Sequence, residues 1–481
     1  MTQYVSKKIK ENYEYIKEKI GIGESFDVGM RELLLDDTII QIYYVTGLCN
    51  TSYILEMMKE LLDFTEDEKL LPRKKPGDII KNHIIFQQVD EKDKLDEIIT
   101  FILSGLAVVL VDGENKGYVV DVRSYPGRSP GEPETEKVIR GSKDGFTENI
   151  IVNTALTRRR IRDPYLRHEL IQVGELSKTD VCITYIKGLA DEKVLDEVRK
   201  SIKNIDVEEL TMTDKKLEEL IVKQKLNPYP KVRFTERPDI LSVHLYQGLV
   251  GVIVDNSPSA IIVPTTFFEQ IQHVEEYRHT PIAGSFLRLF RTLGILGSLY
   301  LVPLWLLFVL HPEYLPDFLN FIGPEETGNI PIVLQIVIME VGIEFLRMAA
   351  VHTPTALTTA MGIVAGILIG QIAVDVGLFT PEVVLYVAVS SLGSYATPSY
   401  ELSIANKIYK LILIILTGIW GLWGLVGGFI ANTIFLAFQK SFGKPYLYPL
   451  IPFSFKDFLG IFLRIDQNTK KRIRKQSGGS Q

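Results

Sequence analysis

Three carboxylates stand where an apolar chain leaves least room for charge. Glu340 and Glu344 lie one helical turn apart in PIVLQIVIMEVGIEFLRMAA, residues 331–350, and Arg347 follows on the same face. Asp375 closes an apolar run in which Val364, Leu368, Gln371 and Asp375 fall in line at helical spacing. Charge at membrane depth is costly, so it is retained by pairing or because an ion or substrate path uses it. Both readings stand for the first group: a neutralising ion pair among Glu340, Glu344 and Arg347, or a track for ions. For the second, Gln371 and Asp375 either hydrogen-bond a neighbouring helix or, in a ring of identical subunits, set carboxylates beside a hydrophobic constriction of Val364 and Leu368. Gly362, Gly366 and Gly370 recur every four residues through the same run, a spacing that lets helices approach closely.

Elsewhere the chemistry is sparse. Arg158, Arg159, Arg160 and Arg162 end a helical pattern that begins near Gly145. Arginines there complement the helix dipole and face water, or they meet an acidic partner. Glu132, Glu134 and Glu136 in the preceding loop of a neighbouring subunit would suit that partner. Glu236, Arg237 and Asp239 read as structural ion pairs, with a role at a domain interface as the second reading. The seven histidines are scattered, and His273 and His279 do not share a helix face, so no metal site is indicated. Cys49 and Cys182 lack disulfide or ligand spacing. No Walker lysine loop, GxSxG, HExxH or GxGxxG motif occurs, so neither an enzyme nor a bound cofactor is expected.

The elements that position these groups divide the chain in two. Net charge is −6, from 53 basic and 59 acidic residues, and offers no general attraction for nucleic acid. Apolar residues make up 46% of the 481, but unevenly: charges recur every few positions to about residue 280, while from 293 to 438 long stretches carry almost none. The fold class expected is an α/β soluble region of two small α/β subdomains followed by an α-helical polytopic membrane domain. Residues 1–121 form the first subdomain, with a helix at 95–103 and a buried strand at 106–111. An Arg/Pro/Gly-rich linker or docking loop spans 122–144. The second subdomain, 145–265, holds a strand at 181–186, helices at 191–202 and 215–222, and paired strands at 248–254 and 260–263.

Aromatic, basic and apolar residues alternate through 266–291, which suits a helix lying at the bilayer surface. The polytopic region runs from 292 to 440. Residues 293–310 are uncharged and about the minimum for a span of a roughly 30 Å hydrocarbon core. The last apolar segment, 408–438, fits a tilted helix or a tight hairpin. A basic tail, 441–481, places the C-terminus in the cytoplasm. The charged N-terminus has no secretory pattern, so both termini are expected inside, with an even number of crossings.

In order along the chain, GEPETEKVIRGSKDGFTENI, NTALTRRRI, NPYPKVRFTERPD, VDNSPSAIIVPTTFFE, FLRMAAVHTPT and ILIGQIAVDVGLF resemble the A subunits of bacterial spore germination receptors, the GerA family. The likeness spans nearly the whole chain. It implies a protein of the spore inner membrane that acts in germination with other germination membrane proteins. It further implies assembly into a homo-oligomeric channel for monovalent cations. A non-conducting scaffold and a secondary transporter are the rival readings, the latter weakened by the lack of a clear repeat in the membrane half.

Overall fold

The computed structural model describes residues 3–35, 38–67, 89–126, 141–222, 224, 226–273, 275–315, 318, 322–324, 329–352, 362–364 and 366–463. Two compact units emerge: Met1–Gln224 with Val232–Pro264 and Thr469–Gln481, and Lys225–Lys231 with Thr265–Asn468.

The first unit is α/β, with two five-stranded antiparallel sheets. Its first half runs α1 (Ile9–Ile20), β1 (Val28–Leu35), β2 (Thr38–Val45), α2 (Thr51–Asp67), β3 (Val89–Lys92), α3 (Leu95–Leu103), β4 (Ala107–Val111) and β5 (Gly117–Val120). The second half runs α4 (Ile150–Arg160), β6 (Leu166–Val173), β7 (Thr179–Ile186), α5 (Glu192–Lys203), α6 (Thr213–Val222), β8 (Arg233–Thr235), α7 (Pro238–Tyr246), β9 (Val250–Val254) and β10 (Ala260–Val263). The uninterrupted apolar strands AVVLV and VGVIV are buried along their whole length, as runs without polar alternation require.

The two halves repeat one design. The strand orders, β1-β2-β4-β5-β3 and β6-β7-β9-β10-β8, are the same permutation. Local hydrogen bonds repeat with it. Asn12 accepts from the Ser6 amide at 2.8 Å and donates to its carbonyl at 2.7 Å; Asn153 does the same to Thr147 at 2.8 and 2.6 Å. Asp112, just after β4, accepts from the first amide of α1 at 2.9 Å, and Asp255, just after β9, from the first amide of α4 at 3.0 Å. Asp112 and Asp255 satisfy amides that a helix N-terminus leaves without intrahelical partners, while Asn12 and Asn153 pin the segment that leads into each helix. Gly105 and Gly248, at φ 85° and 88°, turn the chain from α3 into β4 and from α7 into β9. A left-handed backbone there favours glycine.

The second unit is helical. Its long elements are α8 (Pro281–Leu310), α9 (Ile332–His352), α10 (Pro381–Ser394), α11 (Tyr400–Phe438) and α12 (Phe455–Phe462). Pro281–Leu310 and Tyr400–Phe438 are long and apolar enough to cross a membrane. α8 and α10 cross closely: a Cβ at Gly393 would sit 2.4 Å from the Gly294 carbonyl oxygen. Residues 266–291 do not form one surface helix. Two single turns, Phe267–Gln270 and Glu275–Arg278, precede α8, which starts at Pro281 because proline suits a first helical turn.

α11 resolves the choice left open for 408–438. Gly421 has non-helical angles, φ 56° and ψ −131°. A Cβ at Gly424 would lie 1.9 Å from the Leu416 carbonyl oxygen, and the Tyr409 hydroxyl donates to the Gly428 carbonyl at 3.4 Å. Eight residues of continuous helix rise about 12 Å, so these contacts require the chain to fold back on itself. α11 is a helical hairpin whose limbs touch through Gly424 and Gly428. Trp420 and Trp423 stand exposed at its tip.

Candidate functional site

The segment carrying Val364, Leu368, Gln371 and Asp375 is wound as a π-helix over Ile367–Ile372 and continues into Ala373–Asp375. A π turn takes in one residue more than an α turn. Gln371 and Asp375 are therefore displaced from the straight line that α-helical spacing draws through Val364 and Leu368. All four are exposed on their own chain, Val364 at 56% and Leu368 at 51%. Gly362, Gly366 and Gly370 have open space where a side chain would stand. Among the described residues, the close helix approach that this spacing permits is not made within the chain.

The acidic pair on α9 is placed differently. Glu340 and Glu344 do not share one counterion. Glu340 pairs with Lys410 of α11 at 2.7 Å, and both are buried. Lys410 also donates to the Ser390 hydroxyl of α10 at 3.2 Å, and that hydroxyl donates to the Ser298 carbonyl of α8 at 2.9 Å. One lysine thus joins four helices. Glu344 takes Arg347 from its own helix and Lys407 from α11, the latter at 2.9 Å. Arg347 lies over the Tyr400 ring, 5.0 Å from its centroid. Nearby on α11, the Asn406 amide nitrogen and Thr417 hydroxyl are buried without a hydrogen-bond partner among the described residues. The sequence reading missed Lys407 and Lys410; a lysine inside an apolar segment, with acids in another, was the available signal.

In the first unit the arginine cluster separates into distinct roles. Arg158 is fully buried and does not face water. Its guanidinium donates to Asp27 at 2.8 and 3.1 Å, to the Ser25 hydroxyl and to the Leu166 carbonyl. Those bonds tie the second half of the unit to the first and leave this arginine no access to a partner. Burial alone would raise the Asp27 carboxyl, but Arg158 overrides it and holds the pKa down at about 2. Burial also pushes His168, beside this pair, down to about 4. Arg159 lies over Tyr125, and Arg160 binds Ser142 and Asp144 at 2.8 and 2.9 Å. Arg162 is exposed. Glu132, Glu134 and Glu136 lie outside the described residues. Arg237 pairs with Asp239 at 2.9 Å. Cys49 and Cys182 are free and buried.

Comparison with known proteins identifies the family. Residues 14–476 match the family model described as Bacillus/Clostridium GerA spore germination protein. The chain is 52% identical to stage V sporulation protein AF of Bacillus subtilis, over 94% of this chain and 92% of that one. It is 30% identical to spore germination protein KA of the same organism, over 94% and 83%. A crystal structure of the N-terminal domain of the A subunit of the Bacillus megaterium spore germinant receptor GerK3 aligns at 29% identity and TM-score 0.44, covering 56% of this chain and 98% of that one. The chain belongs to the GerA family of spore germination proteins.

Proposed function

We propose that this chain is a subunit of a homo-oligomeric channel that releases monovalent cations across the spore inner membrane during germination, both termini facing the cytoplasm. The supporting observation is the bare face of residues 362–375. Its glycines meet open space, and Val364, Leu368, Gln371 and Asp375 are exposed on the monomer. Further copies of the chain would cover the glycine ridge and gather Val364, Leu368, Gln371 and Asp375 around a shared axis. Carboxylates in such a ring favour cations, and an apolar constriction beside them supplies a gate. The paired lysines and acids of α9 and α11 neutralise one another within the subunit, whereas Asp375 is an exposed carboxylate available to a pore. Other germination membrane proteins are its expected partners.

Oligomeric state tests the reading. Gly366→Leu adds bulk where the single chain has room, so the monomer should fold while assembly is lost. Native mass spectrometry in detergent should find a defined oligomer for the natural chain and monomers for the variant. A natural chain that is monomeric, or a variant that assembles equally well, would overturn the proposal.

A further inference from the structure

Lys410 belongs to a longer polar stripe on α11, and the function above does not use it. Gly421 turns the hairpin, so its first limb is residues 400–420 and rises about 30 Å, the thickness of a hydrocarbon core. Lys410 stands midway along that limb. Ser403, Asn406, Lys410 and Thr417 fall within about 60° of one another around the helix and extend over roughly 21 Å of its length. All four are buried, and buried polar groups call for hydrogen-bond partners.

Part of the stripe is satisfied by the chain itself. The Ser403 hydroxyl donates to the Ser394 carbonyl of α10 at 3.4 Å, and Lys410 holds Glu340 and Ser390. The Asn406 amide nitrogen, one turn before Lys410, and the Thr417 hydroxyl, two turns after it, have no partner among the described residues. A threonine in a helix can turn its hydroxyl back to the carbonyl four residues earlier, as Thr433 on the second limb does to Phe429 at 2.9 Å. Thr417 does not. Buried donors without partners cost stability, and water is the ordinary partner for such groups.

The charges decide what else the stripe can pass. Lys410 beside Glu340 repels a metal cation, whereas a proton needs only an acceptor, and carboxylates held at membrane depth serve as proton relays. Leu413, buried on the same face, separates Lys410 from Thr417 and is the barrier that water has to cross.

We infer that this stripe is a proton route through the single chain, with water at Asn406 and Thr417 and with Glu340 as the relay, separate from the face of residues 362–375. A proton arriving through water at Asn406 adds to the Glu340 carboxylate and gives the neutral acid, while Lys410 stays an ammonium held by the Ser390 hydroxyl. Passing that proton to water beside Thr417 restores the carboxylate and the ion pair. One proton has then moved and the protein is unchanged. The route shares with the pore reading only the placement of the second unit in a bilayer.

Proteoliposomes carrying the full chain, with pyranine and potassium inside, test it. Valinomycin lets potassium leave on the ionophore and so drives protons inward through any route that admits them. The natural chain should acidify the lumen faster than empty vesicles. Asn406→Leu and Thr417→Val remove the unpartnered donors at nearly constant volume, so both should fold at least as stably, while acidification falls toward the empty-vesicle rate. Glu340→Leu/Lys410→Met should abolish it, and Thr433→Val should leave it unchanged. Potassium release measured without valinomycin should be the same in all these chains. Acidification by the natural chain no faster than in empty vesicles, or undiminished in Asn406→Leu, Thr417→Val and the double variant, would overturn the route. Acidification that falls only in step with potassium release would place the protons in a shared pore and overturn it as well. A natural chain that acidifies the lumen but releases no potassium would sink the pore and retain this route.

Discussion

Lys410→Met isolates the buried charge at the centre of the helical unit. Glu340 and Lys410 are 8% and 2% exposed by side chain and 2.7 Å apart. Taking away one partner strands the other without a counter-charge, which costs about 3–5 kcal/mol in buried pairs. Replacing both with apolar residues removes the stranded charge, so Glu340→Leu/Lys410→Met should fall within about 1 kcal/mol of the natural chain or exceed it. The cycle therefore predicts a coupling of roughly 3 kcal/mol or more between the two positions. Lys407→Met is the control: its pair with Glu344 is 18% and 33% exposed. Glu344 also keeps Arg347, so the loss should be about 1 kcal/mol. Trp305, Trp420 and Trp423 are the chain's three tryptophans and all lie in the second unit, so their fluorescence during denaturant unfolding reports that unit alone. The reasoning fails if Lys410→Met costs no more than Lys407→Met, or if the double variant loses the sum of the two single losses.

Further outcomes follow from single contacts. Gly424→Ala should prevent the α11 hairpin from closing, because its Cβ would strike the Leu416 carbonyl, whereas Gly427→Ala meets nothing and should be neutral; yield and monodispersity in detergent distinguish the two. Asn12→Ala removes two hydrogen bonds to the segment leading into α1 and Asn153→Ala removes those to Thr147 and Ser257, so each should lower stability by about 1–2 kcal/mol, read from the circular-dichroism midpoint of the first unit. That unit should also weaken in acid. His168 sits at about 4 against an ordinary 6.5, so the folded state takes up its proton less readily than the unfolded one. Its stabilising effect is complete above pH 6.5 and is lost as pH falls toward 4, by about 3 kcal/mol in all, and His168→Gln should flatten that stretch of the stability profile. A second loss, between pH 3.8 and about 2, belongs to Asp27 and should survive the substitution.

Elements whose burial is written as a continuous apolar run were legible from sequence: β4, β9, β10 and the core of α8. β6, LRHELIQV, was not, because charges interrupt it; its Arg167 is buried against Glu24 and the Lys19 carbonyl, contacts that arise only once the two halves meet. The repeat within the α/β unit was hidden for a related reason. Many corresponding positions share a role and not a residue type, Ser6 with Thr147 for example, while Asn12 with Asn153, Asp112 with Asp255 and Gly105 with Gly248 keep both. Arg158 looked solvated because a helix C-terminus explains an arginine cluster by itself, while its acceptor, Asp27, is distant in sequence. At the candidate pore, residue types and spacing marked the segment, but π winding follows from backbone hydrogen bonding that side-chain periodicity does not record.

Ion flux from proteoliposomes tests the central claim most directly. Vesicles loaded with potassium and carrying the purified natural chain should release it faster than empty vesicles once the channel opens. Asp375→Asn should reduce that release and its preference for cations over anions, and Glu344→Gln should leave the preference unchanged. Release equal to that of empty vesicles under every condition, or selectivity indifferent to Asp375, would contradict conduction through this face and leave a non-conducting scaffold in its place.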